Sequence, residues 1–269
     1  MFSLELESDG ESKDILIAEL WDEGSTGIVE SDLPGGRSLP RAFFEAEADA
    51  EELARRFTAR IEWHPARDWV AFSRADWKPL AVGARFYLVP EWLHDPAPPG
   101  RFRIEINPGL ACGTGYHEAT QLCLEALEEY LRPDMTVLDI GVGSGILSIA
   151  AALLGARRVV ACDLDPVAVE ISAENMRQTS HRPMLFAGSV DAIRSSSAGL
   201  IVANISADAS IELAPEILRC LAPGGRSIVS GFACSDAPAV AEAIERAGAI
   251  IERRIAKGEW CAFVITPKP

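Results

Sequence analysis

Three glycines alternate with other residues directly after an apolar segment, and this arrangement constrains the fold more than any other part of the chain. Residues 137–140 have the composition of a buried strand, Gly141, Gly143 and Gly145 follow, and an apolar helical pattern begins at Ile146. Because glycine has no Cβ, the backbone of such a loop turns tightly and approaches a ligand closely. The helix behind it directs unpaired N–H groups at the same place. We therefore predict the ligand-binding turn of a parallel α/β sheet.

The next apolar segment, residues 159–163, ends in the carboxylate of Asp163. A carboxylate at the end of this neighbouring strand accepts hydrogen bonds from the hydroxyls of a ribose. The glycine loop and Asp163 together predict a site for an adenosine-containing cofactor.

The spacing of the glycines separates two such cofactors. The dinucleotide pattern G-x-G-x-x-G needs its last glycine at the position that Ile146 occupies. Asp139 would also place a negative charge near a pyrophosphate. S-adenosylmethionine carries an ammonium and a sulfonium and has no phosphate, so Asp139 suits it. The loop favours S-adenosylmethionine over a nicotinamide dinucleotide.

Composition indicates an ordinary globular protein. The chain has 269 residues, of which 48% are hydrophobic and 24% charged. Its six cysteines form no C-x-x-C pair, which argues against a zinc site and against a disulfide framework. The first residues lack a secretion pattern, and no apolar run is long enough to span a bilayer. We expect a cytoplasmic protein with reduced thiols, no bound metal and no membrane contact.

The negative charge is concentrated near the start of the chain. The net charge is −15, and residues 1–100 contain ten Lys and Arg against twenty Asp and Glu. An acidic surface repels nucleic-acid phosphates and attracts a basic protein. We expect no direct nucleic-acid binding. A basic partner and simple solubility both explain the excess.

The chain divides into three predicted parts: a small α+β domain over 1–63, a tryptophan-rich connector over 64–100, and an α/β domain over 101–269. The first part alternates strands and helices as a ferredoxin-like sandwich does. Its predicted strands are 2–6, 26–29, 42–44 and 59–63, and its predicted helices are 14–21 and 48–57.

The third part alternates strands with helices, which is typical of a doubly wound, Rossmann-like sheet. Helices are predicted over 119–130, 146–154, 166–176, 211–221 and 237–247. Strands are predicted over 102–106, 136–139, 159–163, 184–186, 200–203, 227–229, 250–254 and 261–265. Ligands of such a sheet lie outside the carboxyl ends of its strands.

Two further segments are expected at those strand ends. The apolar segment 200–203 is followed by the amide of Asn204. The glycine-containing segment 107–120 suits a mobile loop that closes over a cofactor, and its last residue, Thr120, has a hydroxyl that can donate. His117, in the same segment, either helps to deprotonate a substrate or makes a structural hydrogen bond.

The sequence resembles the bacterial methyltransferases that modify the eleventh protein of the large ribosomal subunit. The resemblance covers nearly the whole chain. It is carried by Pro108-Gly109-Leu110-Ala111 through Gly113-Thr114-Gly115 and His117, by the loop at Gly141, by Asp163-Leu164-Asp165-Pro166, by Val202-Ala203-Asn204-Ile205, by Pro223-Gly224-Gly225 and by Glu259-Trp260. The segment from Pro108 to His117 is the specific part, since many methyltransferases share the glycine loop.

This resemblance implies an S-adenosylmethionine-dependent transfer of methyl groups to lysine side chains and an α-amino group of that basic protein, which the amino-terminal domain recognises. Matching motif positions imply cofactor contacts. These are Thr120, Gly141, Asp163 and Asn204, to which the glycine loop itself adds the main chain of Gly143. The chain departs from the usual pattern at Cys112 and Tyr116, in the loop expected to face the substrate. No general base is evident from the sequence.

Three alternatives remain open at this stage. The first is a methyltransferase of another protein or a small amine. The second is a non-catalytic S-adenosylmethionine-binding module, and the third is a nicotinamide oxidoreductase, which Asp139 and Ile146 disfavour.

Overall fold

The computed structural model describes residues 2–6, 8–9, 16–17, 19–20, 23–25, 27–29, 32–33, 37–44, 53–57, 59–63, 77–107, 115–180 and 183–269. The chain forms two compact units, Met1–Trp77 and Lys78–Pro269. Trp69 and the segment 108–114, with Cys112, lie outside the described residues. None of the described helices is long and apolar enough to cross a membrane.

The first unit is built on an antiparallel sheet. Its described strands are β1 (Phe2–Glu5), β2 (Ser8–Asp9), β3 (Gly27–Val29), β4 (Asp32–Leu33), β5 (Arg37–Ser38), β6 (Arg41–Phe44) and β7 (Arg60–Trp63). The main sheet has the order β3-β6-β1-β7 with every neighbouring pair antiparallel, and β2, β5 and β4 form a small second sheet. Order and directions match the ferredoxin-like arrangement expected from the sequence.

The core of this unit follows from strand alternation. In β6, Ala42 and Phe44 point inward while Arg41 and Phe43 are only partly buried. The buried residues Leu4 and Leu20 join the same cluster. A side-chain period of two thus places one face of β1 and β6 on the core.

The second unit carries the remaining elements. Its described strands are β8 (Leu80–Val82), β9 (Phe86–Pro90), β10 (Phe102–Ile106), β11 (Thr136–Ile140), β12 (Arg158–Asp163), β13 (Met184–Ala187), β14 (Ala198–Asn204), β15 (Leu221–Ala233), β16 (Ala249–Lys257) and β17 (Trp260–Pro267). Its described helices are α1 (Glu118–Tyr130), α2 (Ile146–Leu153), α3 (Pro166–Asn175), α4 (Ala207–Cys220) and α5 (Ala237–Arg246).

The main sheet of this unit has the order β13-β12-β11-β14-β15-β17-β16. Neighbours from β13 to β15 are parallel, whereas β17 pairs antiparallel with both β15 and β16. Helices α1, α2 and α3 contact one another in succession, and α4 and α5 pack together. This confirms the Rossmann-like, doubly wound sheet predicted from the sequence. Its order reverses between β11 and β14, which is where ligands of such sheets bind.

Several elements are longer than predicted, and two of them show the reason. Helix α4 begins at Ala207 and not at residue 211, because Ser206 caps it and its first turn is polar. Strand β15 spans Leu221–Ala233 and not only residues 227–229, because pairing with β14 and β17 extends it at both ends. Neither the first turn of α4 nor the ends of β15 show the regular spacing of apolar residues on which the prediction relied.

Strands β8 and β9 lie inside the predicted connector. Strand β9 pairs antiparallel with β8 and parallel with β10. The turn between β8 and β9 is held by Glu128 of α1, whose carboxylate accepts hydrogen bonds from the N–H groups of Ala84 and Arg85, both at 2.8 Å. The compact second unit therefore begins before residue 101, and the three-part functional division stays a prediction.

Cys234 and Cys261 form a disulfide, so the expectation of reduced thiols is wrong for this pair. Their Cα atoms are 5.3 Å apart although 27 residues separate them in sequence. The antiparallel register of β15 and β17 sets Phe232 opposite Cys261, which brings Cys234 to the same place. Spacing along the chain does not reveal this pairing. Cys123, Cys162 and Cys220 are free and buried.

A substitution at Gly231 tests how closely the main chain of β15 approaches Ile205. It lies at a bulge with φ +96°, and a Cβ there would be 2.3 Å from the carbonyl oxygen of Ile205. We expect Gly231→Ala to lower the free energy of unfolding by roughly 3 kcal/mol or more. Gly155→Ala is the matched control, because Gly155 has φ +94° and nothing within 4 Å. Similar losses for both variants, measured by thermal unfolding, would contradict the proposed clash.

Candidate cofactor site

A cleft of about 350 Å³ lies outside the carboxyl ends of β11, β12 and β14. It brings together the five residues named above as cofactor contacts. These are Thr120, Gly141, Gly143, Asp163 and Asn204. The sheet order explains the convergence, because β11 lies between β12 and β14 and the three strands run parallel.

The glycine loop is pinned to the end of β12 by main-chain hydrogen bonds. The N–H groups of Gly141 and Val142 donate to the carbonyl oxygen of Cys162 at 2.9 and 3.0 Å. Gly141 has φ +74°, and a Cβ on it would be 2.6 Å from Cγ2 of Ile205. A residue with a side chain at this position would therefore clash with Ile205.

Gly145 serves helix packing. A Cβ there would be 2.5 Å from Oγ of Ser172 on α3. Ile146, which stands where the dinucleotide pattern has its last glycine, is buried in the core. The close helix approach is thus made one residue earlier than in the dinucleotide pattern.

Both carboxylate oxygens of Asp163 are oriented by main-chain donors. Oδ2 accepts from the N–H of Gly143 at 2.9 Å and Oδ1 from the N–H of Asp165 at 3.0 Å. Each oxygen keeps a further lone pair. Asp163 is partly exposed at the cleft, so those lone pairs are available to hydroxyl groups of a ligand.

Thr120 and Asn204 meet across 84 residues of sequence. Nδ2 of Asn204 donates to Oγ1 of Thr120 at 3.1 Å, and Thr120 is 1% exposed. The Thr120 hydroxyl, used here as an acceptor, keeps its proton to donate, and Oδ1 of Asn204 remains an acceptor. Asn204 does not cap the helix that follows it, because Ser206 does.

Asp139 lies beneath this cleft and not on its surface. The residue is fully buried, its Oδ2 accepts from Oγ of Ser148 at 2.7 Å, and its Oδ1 has no partner among the described residues. Burial raises the pKa of Asp139 from 3.8 to about 7, against the opposing effect of the Ser148 hydrogen bonds. The sequence suggested a charge facing the cofactor, whereas the structure places a group that titrates near neutrality under the loop.

His117 has a structural role. It is the N-cap of α1, with Nδ1 accepting from the N–H of Ala119 at 3.3 Å, and its ring packs edge-on at 4.2 Å from that of Trp260. An Nδ1 atom that accepts this bond does not also carry a proton. Of the two roles left open for His117, the structure shows the structural hydrogen bond.

Tyr116 is anchored away from the cleft. Its hydroxyl donates to the carbonyl oxygen of Lys78, and burial raises the pKa of Tyr116 to about 12. It is not among the described residues that line the cleft. Sequence reasoning assigned no contact to several other residues that line it, such as Ile205 and Ser206. In the sequence, an apolar residue after β14 and a capping serine give little indication of a ligand contact. Only the fold places them at the cleft.

Fold and cleft define a Rossmann-like protein of the methyltransferase class. A family model described as ribosomal protein L11 methyltransferase (PrmA) matches residues 38–268. The chain belongs to the ribosomal protein L11 methyltransferase family.

Relatives and a solved structure agree with this. The chain is 36% identical over 273 residues to a ribosomal protein L11 methyltransferase of Gloeobacter violaceus, with 96% of this chain and 84% of the relative covered. It is 38% identical over 211 residues to one of Symbiobacterium thermophilum, covering 78% and 69%. A crystal structure of a ribosomal protein L11 methylase from Lactobacillus delbrueckii subsp. bulgaricus matches with a TM-score of 0.66 and 30% identity, covering 72% of this chain and all of that one.

The buried carboxyl group under the loop predicts a pH-dependent stability. Between about pH 4 and 7 the folded state keeps the Asp139 proton that the unfolded state loses, so the free energy of unfolding falls as pH rises. Asp139→Asn stays neutral and should lack this fall, which is on the order of a few kcal/mol. Denaturant midpoints at pH 5 and pH 8 measure the difference. Glu242→Gln, on the exposed face of α5, is the control and should show the same pH dependence as the wild type. If the stability of Asp139→Asn falls with pH as much as that of the wild type, Asp139 is not the group responsible.

Proposed function

We propose that this chain transfers methyl groups from S-adenosylmethionine to ribosomal protein L11. The observation that carries the proposal is the single cleft at which the glycine loop, Asp163 and the Thr120–Asn204 pair converge. Membership of the family supplies the acceptor protein. Cytoplasmic action is part of the proposal, since ribosomal proteins are made there.

The residues present fit S-adenosylmethionine in shape and in charge. None of the described residues that line the cleft is a lysine, arginine or histidine, and Asp163 is an acid. Such a lining suits a cationic cofactor without phosphate and opposes the pyrophosphate of a dinucleotide. A Cβ on Gly141 would overlap the side chain of Ile205, so the loop presents bare main chain at this point.

The cleft suggests a role for each residue. Asp163, whose oxygens are aimed by two N–H groups, would hold the ribose hydroxyls. The main chain at Gly141 and Gly143 would lie against the cofactor. The Thr120 hydroxyl and the Asn204 amide would contact the amino-acid part or orient the incoming amine.

The protein's contribution is orientation and exclusion of water. When bound, S-adenosylmethionine supplies an electrophilic methyl group on its sulfonium. The acceptor amine must be neutral to attack, and a lysine amine has a pKa of about 10, so a desolvated cleft favours the reactive form. Holding the two reactants in line contributes up to about 7–11 kcal/mol by effective molarity. The proton released by the amine then passes to solvent.

The amino-terminal unit is the proposed recognition element. The excess of acidic over basic residues in 1–100 suits a basic ribosomal protein. Lysine side chains and an α-amino group are the proposed acceptors. Mass spectrometry of L11 after incubation with the enzyme and labelled methyl donor tests the whole proposal, and an unmodified L11 would refute it.

Asp163→Ala should weaken the binding of S-adenosylmethionine. One or two charge-assisted hydrogen bonds are lost, each worth about 1.5–3 kcal/mol, so the dissociation constant should rise about tenfold or more. Asp163→Asn keeps the shape and should show a smaller rise. Titration calorimetry measures both, with Glu170→Ala on the exposed face of α3 as the control. An unchanged affinity for Asp163→Ala would remove this residue from the site.

Deletion of residues 1–77 should separate cofactor binding from substrate recognition. The remaining compact unit, Lys78–Pro269, keeps β8 and β9 and the complete cleft. We expect it to bind S-adenosylmethionine with wild-type affinity and to lose methylation of L11. The two readouts are calorimetry and incorporation of labelled methyl. A truncated protein that methylates L11 at the full rate would disprove the recognition role.

A further inference from the structure

A second cavity, of about 440 Å³, lies beside the cofactor cleft. It is formed at the carboxyl end of β15 and by the first turns of α4 and α5. Ser206 lines both spaces, so the two are neighbours at this residue. In a parallel sheet, a space at the next strand end is well placed for a molecule that reacts with a ligand of the first.

The walls of this cavity are apolar and its rim is acidic. Ile211 and Trp260 supply apolar surface. Asp208 and Asp236 are both exposed at the rim, and the described residues that line the cavity include no lysine, arginine or histidine. Such a surface accepts the methylene chain and the charged end of a long cationic side chain.

The two carboxylates more than offset the helix ends beside them. The N-terminus of each helix acts as about half a positive charge, so α4 and α5 together present roughly one. Asp208 and Asp236 carry two negative charges at neutral pH, which leaves the cavity net negative. Asp236 stands at the N-cap of α5 but makes no capping hydrogen bond through its side chain.

We propose that this cavity binds a positively charged segment of the protein substrate next to the acceptor amine, with Asp208 and Asp236 as specificity-determining residues. The inference rests on the proposed methyl transfer and adds the substrate feature that the enzyme selects. The charge of the cavity and its position next to the cofactor cleft carry it. The occupant is a lysine- or arginine-bearing stretch of chain.

Steady-state methylation of purified L11 by the full-length enzyme tests this, with Asp208→Asn, Asp236→Asn and the double variant. The double variant should raise KM for L11 tenfold or more, change kcat less than twofold, and leave the affinity for S-adenosylmethionine unchanged. KM of the wild type should rise with added salt, and that of the double variant should rise much less. Glu212→Gln and Glu242→Gln remove exposed carboxylates from the same two helices outside the cavity and serve as controls.

Each other result overturns the inference in a recognisable way. A double variant with a lower melting temperature and an unchanged KM would show that the carboxylates only stabilise the helix ends. A lower KM would indicate an anionic occupant, and a loss of S-adenosylmethionine affinity would assign the carboxylates to the cofactor. If the wild type leaves L11 unmethylated, the proposed function itself falls, and this inference with it.

Discussion

The attachment of the glycine loop to the end of β12 is the interaction on which the rest of the site depends. Gly141 and Val142 donate to the carbonyl oxygen of Cys162, and Gly143 donates to the carboxylate of Asp163. The same bonds that shape the loop therefore orient the acid that faces the cleft. Gly141 and Gly143 have positive φ, a backbone conformation that favours glycine at those positions.

Charge divides the carboxyl edge of the sheet into regions of different chemistry. Asp163 is held by N–H donors at the cleft, whereas Asp139 is buried beneath it and has its pKa raised to about 7 by desolvation. Asp208 and Asp236 lie farther along the edge, exposed to solvent. Three environments thus give the same side chain three behaviours: a fixed acceptor, a buried group that titrates near neutrality, and a solvated negative rim.

Local signals predicted the parts of the fold that local forces form. Helix α1 and strands β11 and β12 agree with the sequence prediction to within a residue, because apolar period and strand length identify them. The start of α4 and the length of β15 were missed, since a polar capped turn and a strand extended by its neighbours have no apolar period. Strands β8 and β9 were missed for the same reason, because β9 is decided by its pairing with β10 and β8 by its pairing with β9.

The sequence by itself determined the alternation of strands and helices in the Rossmann-like sheet, the glycine loop and the acid that ends the following strand, and hence the class of cofactor. Only the tertiary structure decided that Asp139 is buried, that Asn204 meets Thr120, and that Cys234 meets Cys261. These outcomes depend on which strands become neighbours and in which register. Register is set by side-chain packing over the whole sheet, and no short stretch of sequence contains that information.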